Sequence, residues 1–221
     1  NAHKRFHEYI FLIKAFYHLR VDGDIKQAER QFTIVHNKGQ KDPAAEHYIS
    51  GALLGLGICS YAQNKYQVAL KYFADALTKN SGGCHASVRV AIASCFFKLG
   101  EYTKAREAVN NAIKMDMASA DSFCMLALIE QADAIKNKNK RGEHQLRAYE
   151  YWCIAAELDP TCASAYLHQA TYHISKWKSI GACEVLNQTW IRVDLSSMGT
   201  IEEHDRLLIG GKGSNYVKEF I

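Results

Sequence analysis

Proline is nearly missing, at two residues in 221. Proline breaks helix interiors, so its scarcity leaves long helical runs unobstructed. No CxxC pair occurs among the seven cysteines, and their number is odd. That argues against a disulfide framework and for a reducing compartment. Charge of one sign is not in large excess: a net charge of +4 neither demands nucleic acid nor excludes an acidic partner. A membrane span is not expected either. The longest uncharged run, His47 to Asn64, contains Ser, Tyr, Gln and three glycines, and reads as a packed helix. No signal peptide is visible, and Asn1 in place of Met is expected of a fragment of a longer chain. What is present is a globular composition, 48% apolar and 23% charged, which excludes a disordered tail.

The stretch Ser50 to Gly83 organises the rest. It reads as two short amphipathic helices around a polar turn, with Leu56-Gly57 in the first, Tyr66 after the turn, and Ala69, Phe73 and Ala76 in the second. This is the tetratricopeptide pattern, a helical pair of about 34 residues. Equivalent second-helix alanines recur at Ala28, Ala69, Ala105, Ala148 and Ala182, spaced 41, 36, 43 and 34 residues apart. Each spacing is one repeat plus an insertion at a turn or linker. A large residue follows each alanine four positions on: Phe32, Phe73, Val109, Trp152 and Leu186. Helices that approach to about 8–10 Å need a small residue at the closest point and a bulky one beside it. The expected fold is therefore all-α, a right-handed α-solenoid of tetratricopeptide helix pairs. Residues 1–196 form the solenoid, with repeats at about 9–42, 50–83, 86–119, 120–162 and 163–196. Residues 197–221 form a capping element or a truncated further repeat. In the fourth repeat the turn is expected to be swollen by about nine residues, KNKNKRGEH, with the second helix resuming at Leu146.

Several constellations have bland readings. Gly210-Gly211-Lys212-Gly213-Ser214 lacks the GxxxxGK[ST] spacing and a preceding strand, so it reads as a linker and not a phosphate loop. The ten histidines form no HxxxH pair beside a carboxylate. His168 and His173 fall off a common face, and His3, His7, His144 and His204 sit in polar segments expected to be solvated. Neither a metal nor a cofactor is expected. Cys59 and Cys95 share one offset in successive repeats, where a small buried hydrophobe fits. No Cys–His or Ser–His pairing suggests nucleophilic catalysis, so an enzyme is not expected. The run Lys136, Lys138, Lys140 and Arg141 is either a solvated turn or an electrostatic contact to an acidic protein segment or nucleic acid. No aromatic residue interrupts it, so a single-strand stacking platform is not indicated. Arg89 stands where such repeats usually place a large apolar residue. It either pairs with an intramolecular carboxylate or anchors a partner.

In tetratricopeptide solenoids the first helix of each pair lines the concave face. That resemblance implies a groove containing Tyr17, Arg20, Leu54, Ile58, Tyr61, Val90, Ser94, Phe97, Cys124, Leu128, Gln131, Leu167 and Thr171, with Arg89 at its edge. Chaperone-binding members use a basic and Asn-containing clamp there. Here the clamp positions are Leu54, Ile58, Val90 and Ser94, so no such clamp is expected. An apolar groove suits a helical or extended segment of a partner.

A closer resemblance covers roughly residues 15–185. It rests on PAAEHYISGALLGLGICSYAQNKYQVALKYFADAL, on HASVRVAIASCFFKLGEYTKARE, and on DSFCMLALIEQADAIKNK with its inserted turn, followed by AELDPTCASAYLHQA. These segments resemble the tetratricopeptide scaffold subunit of the polymerase-associated factor (Paf) complex, which accompanies RNA polymerase II. The resemblance implies a nuclear scaffold that holds the other subunits of a transcription elongation complex. It would contact polymerase indirectly, and support elongation through chromatin and co-transcriptional histone modification. The alternative is a tetratricopeptide adaptor of another assembly, in chaperone or trafficking work. Composition and periodicity by themselves imply only a protein-binding solenoid.

Overall fold

The computed structural model describes residues 2–41, 48–79 and 86–175, with side chains from Tyr9 onward. Described residues are helical throughout apart from short links. The helices are α1 (Ala2–Tyr17), α2 (Ile25–Lys41), α3 (Ile49–Ala62), α4 (Tyr66–Lys79), α5 (Ala86–Lys98), α6 (Tyr102–Met115), α7 (Ala120–Lys136), α8 (Arg141–Leu158) and α9 (Ala163–Ser175). The last second-helix pair, Ala182 and Leu186, the Gly210–Ser214 stretch and the 197–221 segment lie outside the described residues. The chain divides into two compact units, Asn1–Met115 and Asp116–Ile221.

The first unit holds three consecutive pairs: α1 with α2, α3 with α4, and α5 with α6. The expected small-and-large alternation is what packs them. Ala28, Ala69 and Ala105 are fully buried, as are Phe32 and Val109, with Phe73 nearly so. The first helices supply complementary surfaces. Leu12, Ala15, Ala52, Leu56 and Cys59 close around Ala28, Phe32 and Val35. The Phe16 ring meets Phe32 edge-on at 4.9 Å.

Two glycines in α3 make this packing achievable. A methyl group built on Gly55 would come within 2.3 Å of the Phe32 ring, and one on Gly57 within 2.4 Å of the Phe73 ring. Each glycine is therefore a notch into which a second-helix ring fits, Gly55 for the preceding pair and Gly57 for its own. The Leu56-Gly57 signature is thus a packing device.

The turns within these pairs are alike. Gly23, Asn64 and Gly100 take left-handed backbone with φ of 65°, 61° and 79°. Each lies five residues before the buried alanine of the second helix. Glycine and asparagine tolerate this region better than other residues. At Asn64 and Gly100 the hydrogen bonds are those of a Schellman C-cap: Asn64 N to Tyr61 O and Lys65 N to Ser60 O, then Gly100 N to Phe97 O and Glu101 N to Phe96 O. The first pair differs. The end of α1 widens into a π-helical turn, His18–Asp22, before Gly23. The helix α1 reaches back before Tyr9 to Ala2.

In the second unit α7 packs on α8, and α8 on α9. Trp152, Ala155, Ala156 and Ala127 form its core with Ala165 and Tyr166. Here one expectation is corrected. The link between α7 and α8 is not a nine-residue swollen turn, and α8 does not wait until Leu146. It begins at Arg141, after Asn137 and a single 3-10 turn, Lys138–Lys140. The inserted residues lengthen the helices instead, to 17 residues in α7 and 18 in α8, against 14 in α3 and in α4. Arginine and glutamate are good helix formers, so the RGEH end of a polar insert without proline can join the following helix instead of the turn.

Candidate partner-binding surface

In the first unit the expected groove residues fall into two groups. Leu54, Ile58 and Tyr61 are half-buried on α3 and pack against Val88, Ile92 and Cys95 of α5, beside Ala69 and Phe73. These three side chains thus spend much of their area on packing between successive pairs. Burial pushes the Tyr61 phenol up to about 12, with Cys95 and Tyr66 adding to the effect. Its ring also meets Tyr66 edge-on at 5.2 Å.

The other group is more open. Tyr17 is 54% exposed, and Ile10 and Ile13 are exposed on the same helix. Arg20 is exposed one turn on, within the π-helical turn. On α5, Val90 and Ser94 are half-buried, and Ser94 Oγ donates to Val90 O at 3.0 Å. The half-buried Phe97 ring lies 5.3 Å from Tyr102 across the turn. Arg89 is half-buried, and the carboxylate-pair reading has no support among the described residues. Its Nε donates instead to Met115 Sδ at 3.0 Å.

In the second unit Leu128 and Cys124 are half-buried against the core around Trp152. Gln131 Nε2 lies 3.4 Å from His168 Nδ1, and Leu167 and Thr171 are exposed. His168 stacks on Trp152 at 4.3 Å, and its burial lowers its basicity. Lys136, Lys138, Lys140 and Arg141 are all exposed at the tip of the α7–α8 hairpin, beside Ile135, which is 78% exposed.

Sequence reasoning missed a charged cluster between α7 and α8. Glu130 is only 3% exposed, in the middle of an otherwise apolar helix face. His144 Nδ1 lies 2.7 Å from its Oε2, Arg147 Nε donates to the same oxygen at 3.1 Å, and Arg147 Nη2 lies 2.9 Å from His144 Nδ1. His144 is buried at 9% exposure, which corrects the expectation that it is solvated. The reason is the early start of α8, which turns a supposed loop residue inward on a helix. A signal was available: in the segment LALIEQA, Glu130 follows four apolar residues at positions that continue the buried stripe. A buried carboxylate needs donors, and the lengthened α8 supplies them. Among the described residues no group of His, Cys, Asp or Glu could hold a metal ion. No described helix is long and apolar enough to cross a membrane.

Comparison with known proteins fits this geometry. A family described as tetratricopeptide repeat matches residues 60–121, a segment that runs from the end of α3 through α6. Protein CTR9 homolog of Arabidopsis thaliana is 28% identical over 155 residues, which is 70% of this chain and 13% of that protein. The chain therefore spans a small part of that relative's length. The structure in the functional characterization of Pseudomonas aeruginosa pilF superposes with a TM-score of 0.63 at 14% identity, covering 91% of this chain and 87% of that one. MamA from Desulfovibrio magneticus RS-1 superposes with a TM-score of 0.57 at 18% identity, over 84% and 94% of the two chains. At such identities the structural likeness speaks to fold, and the fold is an α-solenoid of tetratricopeptide-type helix pairs.

Proposed function

We propose that this chain is a non-enzymatic scaffold segment of a nuclear transcription elongation assembly, equivalent to part of the tetratricopeptide subunit of the polymerase-associated factor complex. The observation that carries this reading is the 155-residue likeness to the CTR9 homolog, which runs through several successive helix pairs. On this reading the chain binds other protein subunits and meets RNA polymerase II indirectly.

Within the first unit, the exposed α1 face around Tyr17 and the open edges of Val90 and Phe97 receive a helical or extended segment of a partner. Leu54, Ile58, Tyr61 and Arg89 border that surface while holding successive pairs together. In the second unit Leu128 has the same bordering role. The basic tip formed by Lys136, Lys138, Lys140 and Arg141 supplies an electrostatic contact to an acidic segment.

The test is co-expression of this chain with each subunit of the polymerase-associated factor complex in turn, followed by affinity capture. At least one subunit is expected to co-purify stoichiometrically, and Tyr17→Glu should weaken that capture roughly tenfold, as loss of an interface aromatic does. Capture of none of the subunits would sink the assignment. It would leave the reading as an adaptor of another assembly, which capture of chaperone or coat proteins would identify.

A further inference from the structure

Two of the cysteines are set against each other within the second unit. Cys124 lies in the first turns of α7, and Cys162 immediately precedes α9. Their sulfurs are 3.7 Å apart although 38 residues separate them in sequence. Both are free and half-buried, so they are neither sealed in the core nor fully in solvent. Ser164 Oγ lies 3.2 Å from Cys162 Sγ. The two buried cysteines of the first unit, Cys59 and Cys95, are fully enclosed.

From this geometry we propose that Cys124 and Cys162 form a reversible dithiol–disulfide site, oxidised by a hydroperoxide, that ties α7 to the start of α9. In a reducing compartment such a bond is transient and regulatory, unlike a permanent staple. The two thiols have unequal roles. The hydrogen bond from the Cys124 thiol, followed by those from Ser164 and the Ala165 N–H, holds the Cys162 thiol down at about 6, against burial and the nearby Asp159 carboxylate. Cys124 is pushed upward by the same sulfur contact, by burial, and by Cys162, Asp121 and Asp159. Cys162 is therefore the nucleophile, and Cys124 the thiol that resolves it. This is the arrangement of a redox-sensing pair, a thiolate beside a second cysteine.

The Cys162 thiolate attacks one peroxide oxygen, an S–O bond forms, the O–O bond breaks, and the departing hydroxide is protonated to water. Cys124 then attacks the Cys162 sulfenic sulfur. The S–S bond forms, and the sulfenic oxygen leaves with the Cys124 proton as a second water. Two thiols and one molecule of hydrogen peroxide give one disulfide and two waters (an organic hydroperoxide gives its alcohol in place of the first water), and a dithiol reductant reverses the change.

The experiment uses the whole chain treated with equimolar hydrogen peroxide at neutral pH, then non-reducing digestion and mass spectrometry. The expected result is loss of two hydrogen masses, recovered as a peptide pair joining Cys124 to Cys162 and restored by dithiothreitol. In Cys124→Ser a dimedone-trapped sulfenic acid should accumulate on Cys162, and in Cys162→Ser the cross-link should vanish. Should either serine variant lose its helical signal, the wild-type chain still decides. Mapped iodoacetamide labelling at neutral pH should favour Cys162 over Cys59 and Cys95. A bond joining other cysteines, or labelling of Cys162 no faster than of the buried two, overturns the proposal.

Discussion

Replacing each glycine of α3 by alanine, one at a time, tests the packing directly, because three glycines in one helix have three different surroundings. A glycine-to-alanine change inside a helix stabilises by about 1 kcal/mol through backbone entropy alone. At Gly51 the added methyl would touch the Leu12 side chain at 3.7 Å, an ordinary contact, so that gain should appear nearly whole. At Gly55 it would sit 2.3 Å from two carbons of the Phe32 ring, and at Gly57 2.4 Å from the Phe73 ring. Neither ring is the free end of a flexible chain, since Phe32 is fully buried and Phe73 nearly so. Overpacking of this kind costs about 1–3 kcal/mol, which cancels the entropic gain and leaves a net loss of up to about 2 kcal/mol. Thermal unfolding followed by circular dichroism reads the difference at roughly 2–4 °C per kcal/mol for a chain of this size. Gly51→Ala should melt a few degrees higher, and Gly55→Ala and Gly57→Ala should melt lower. Adding Phe32→Leu to Gly55→Ala should give back part of the loss. If all three alanines raise the melting temperature, the rings do not fill those notches and the register of α2, α3 and α4 is wrong.

Other outcomes follow from the same structure. Glu130→Ala should destabilise by about 3 kcal/mol, the lower end for breaking a buried ion pair because Arg147 can turn to solvent. Glu130→Gln, which keeps an acceptor for Arg147, should cost less in the same urea titration, and equal losses would contradict the hydrogen-bonded arrangement. Cys59, Cys95 and Tyr61 are all held up at about 12, chiefly by burial, from ordinary values of 9 for the thiols and 10 for the phenol. Above pH 9 the unfolded chain sheds these protons first, so stability present below pH 9 should fall as pH rises toward 12. Urea midpoints at pH 8 and pH 10.5 check this, and Cys95→Ala should flatten the fall. Tyr61→Glu should lower the melting temperature by several degrees, whereas Tyr17→Glu should leave it within about 1 °C, as surface substitutions do. Equal melting of the two would mean that Tyr61 is not a packing residue.

Much of the architecture was legible because one spacing rule governs it. A buried alanine and a bulky residue four positions on are visible in any repeat, and Ala28/Phe32, Ala69/Phe73, Ala105/Val109 and Ala148/Trp152 all prove buried. The turn chemistry was legible too, since Gly23 and Gly100 mark left-handed positions. The α7–α8 link was not, because KNKNKRGEH mixes good helix formers (Lys, Arg, Glu) with poor ones (Asn, Gly), and local sequence does not choose between turn and helix. The burial of His144 followed that choice. Groove residues were assigned by analogy with other repeats, and Leu54, Ile58 and Tyr61 share a face with inter-pair packing that periodicity alone does not separate. The Cys124–Cys162 contact joins positions with no local spacing rule, so only the fold brings it into view.

The lengthened α7–α8 hairpin changes what its cations can do. Three or four extra residues per helix carry the tip about 5–6 Å farther than an ordinary pair would reach, at 1.5 Å per residue. Glu130, His144 and Arg147 brace the arm from within, and Lys136, Lys138, Lys140 and Arg141 stand on ordered helical backbone at its end. Cations on a floppy loop must be immobilised before they can grip an acidic segment, at about 1–2 kcal/mol of backbone entropy per residue. On this braced arm that ordering is complete when the chain folds, so an acidic segment of the kind proposed above would meet a preformed backbone and keep more of its binding free energy.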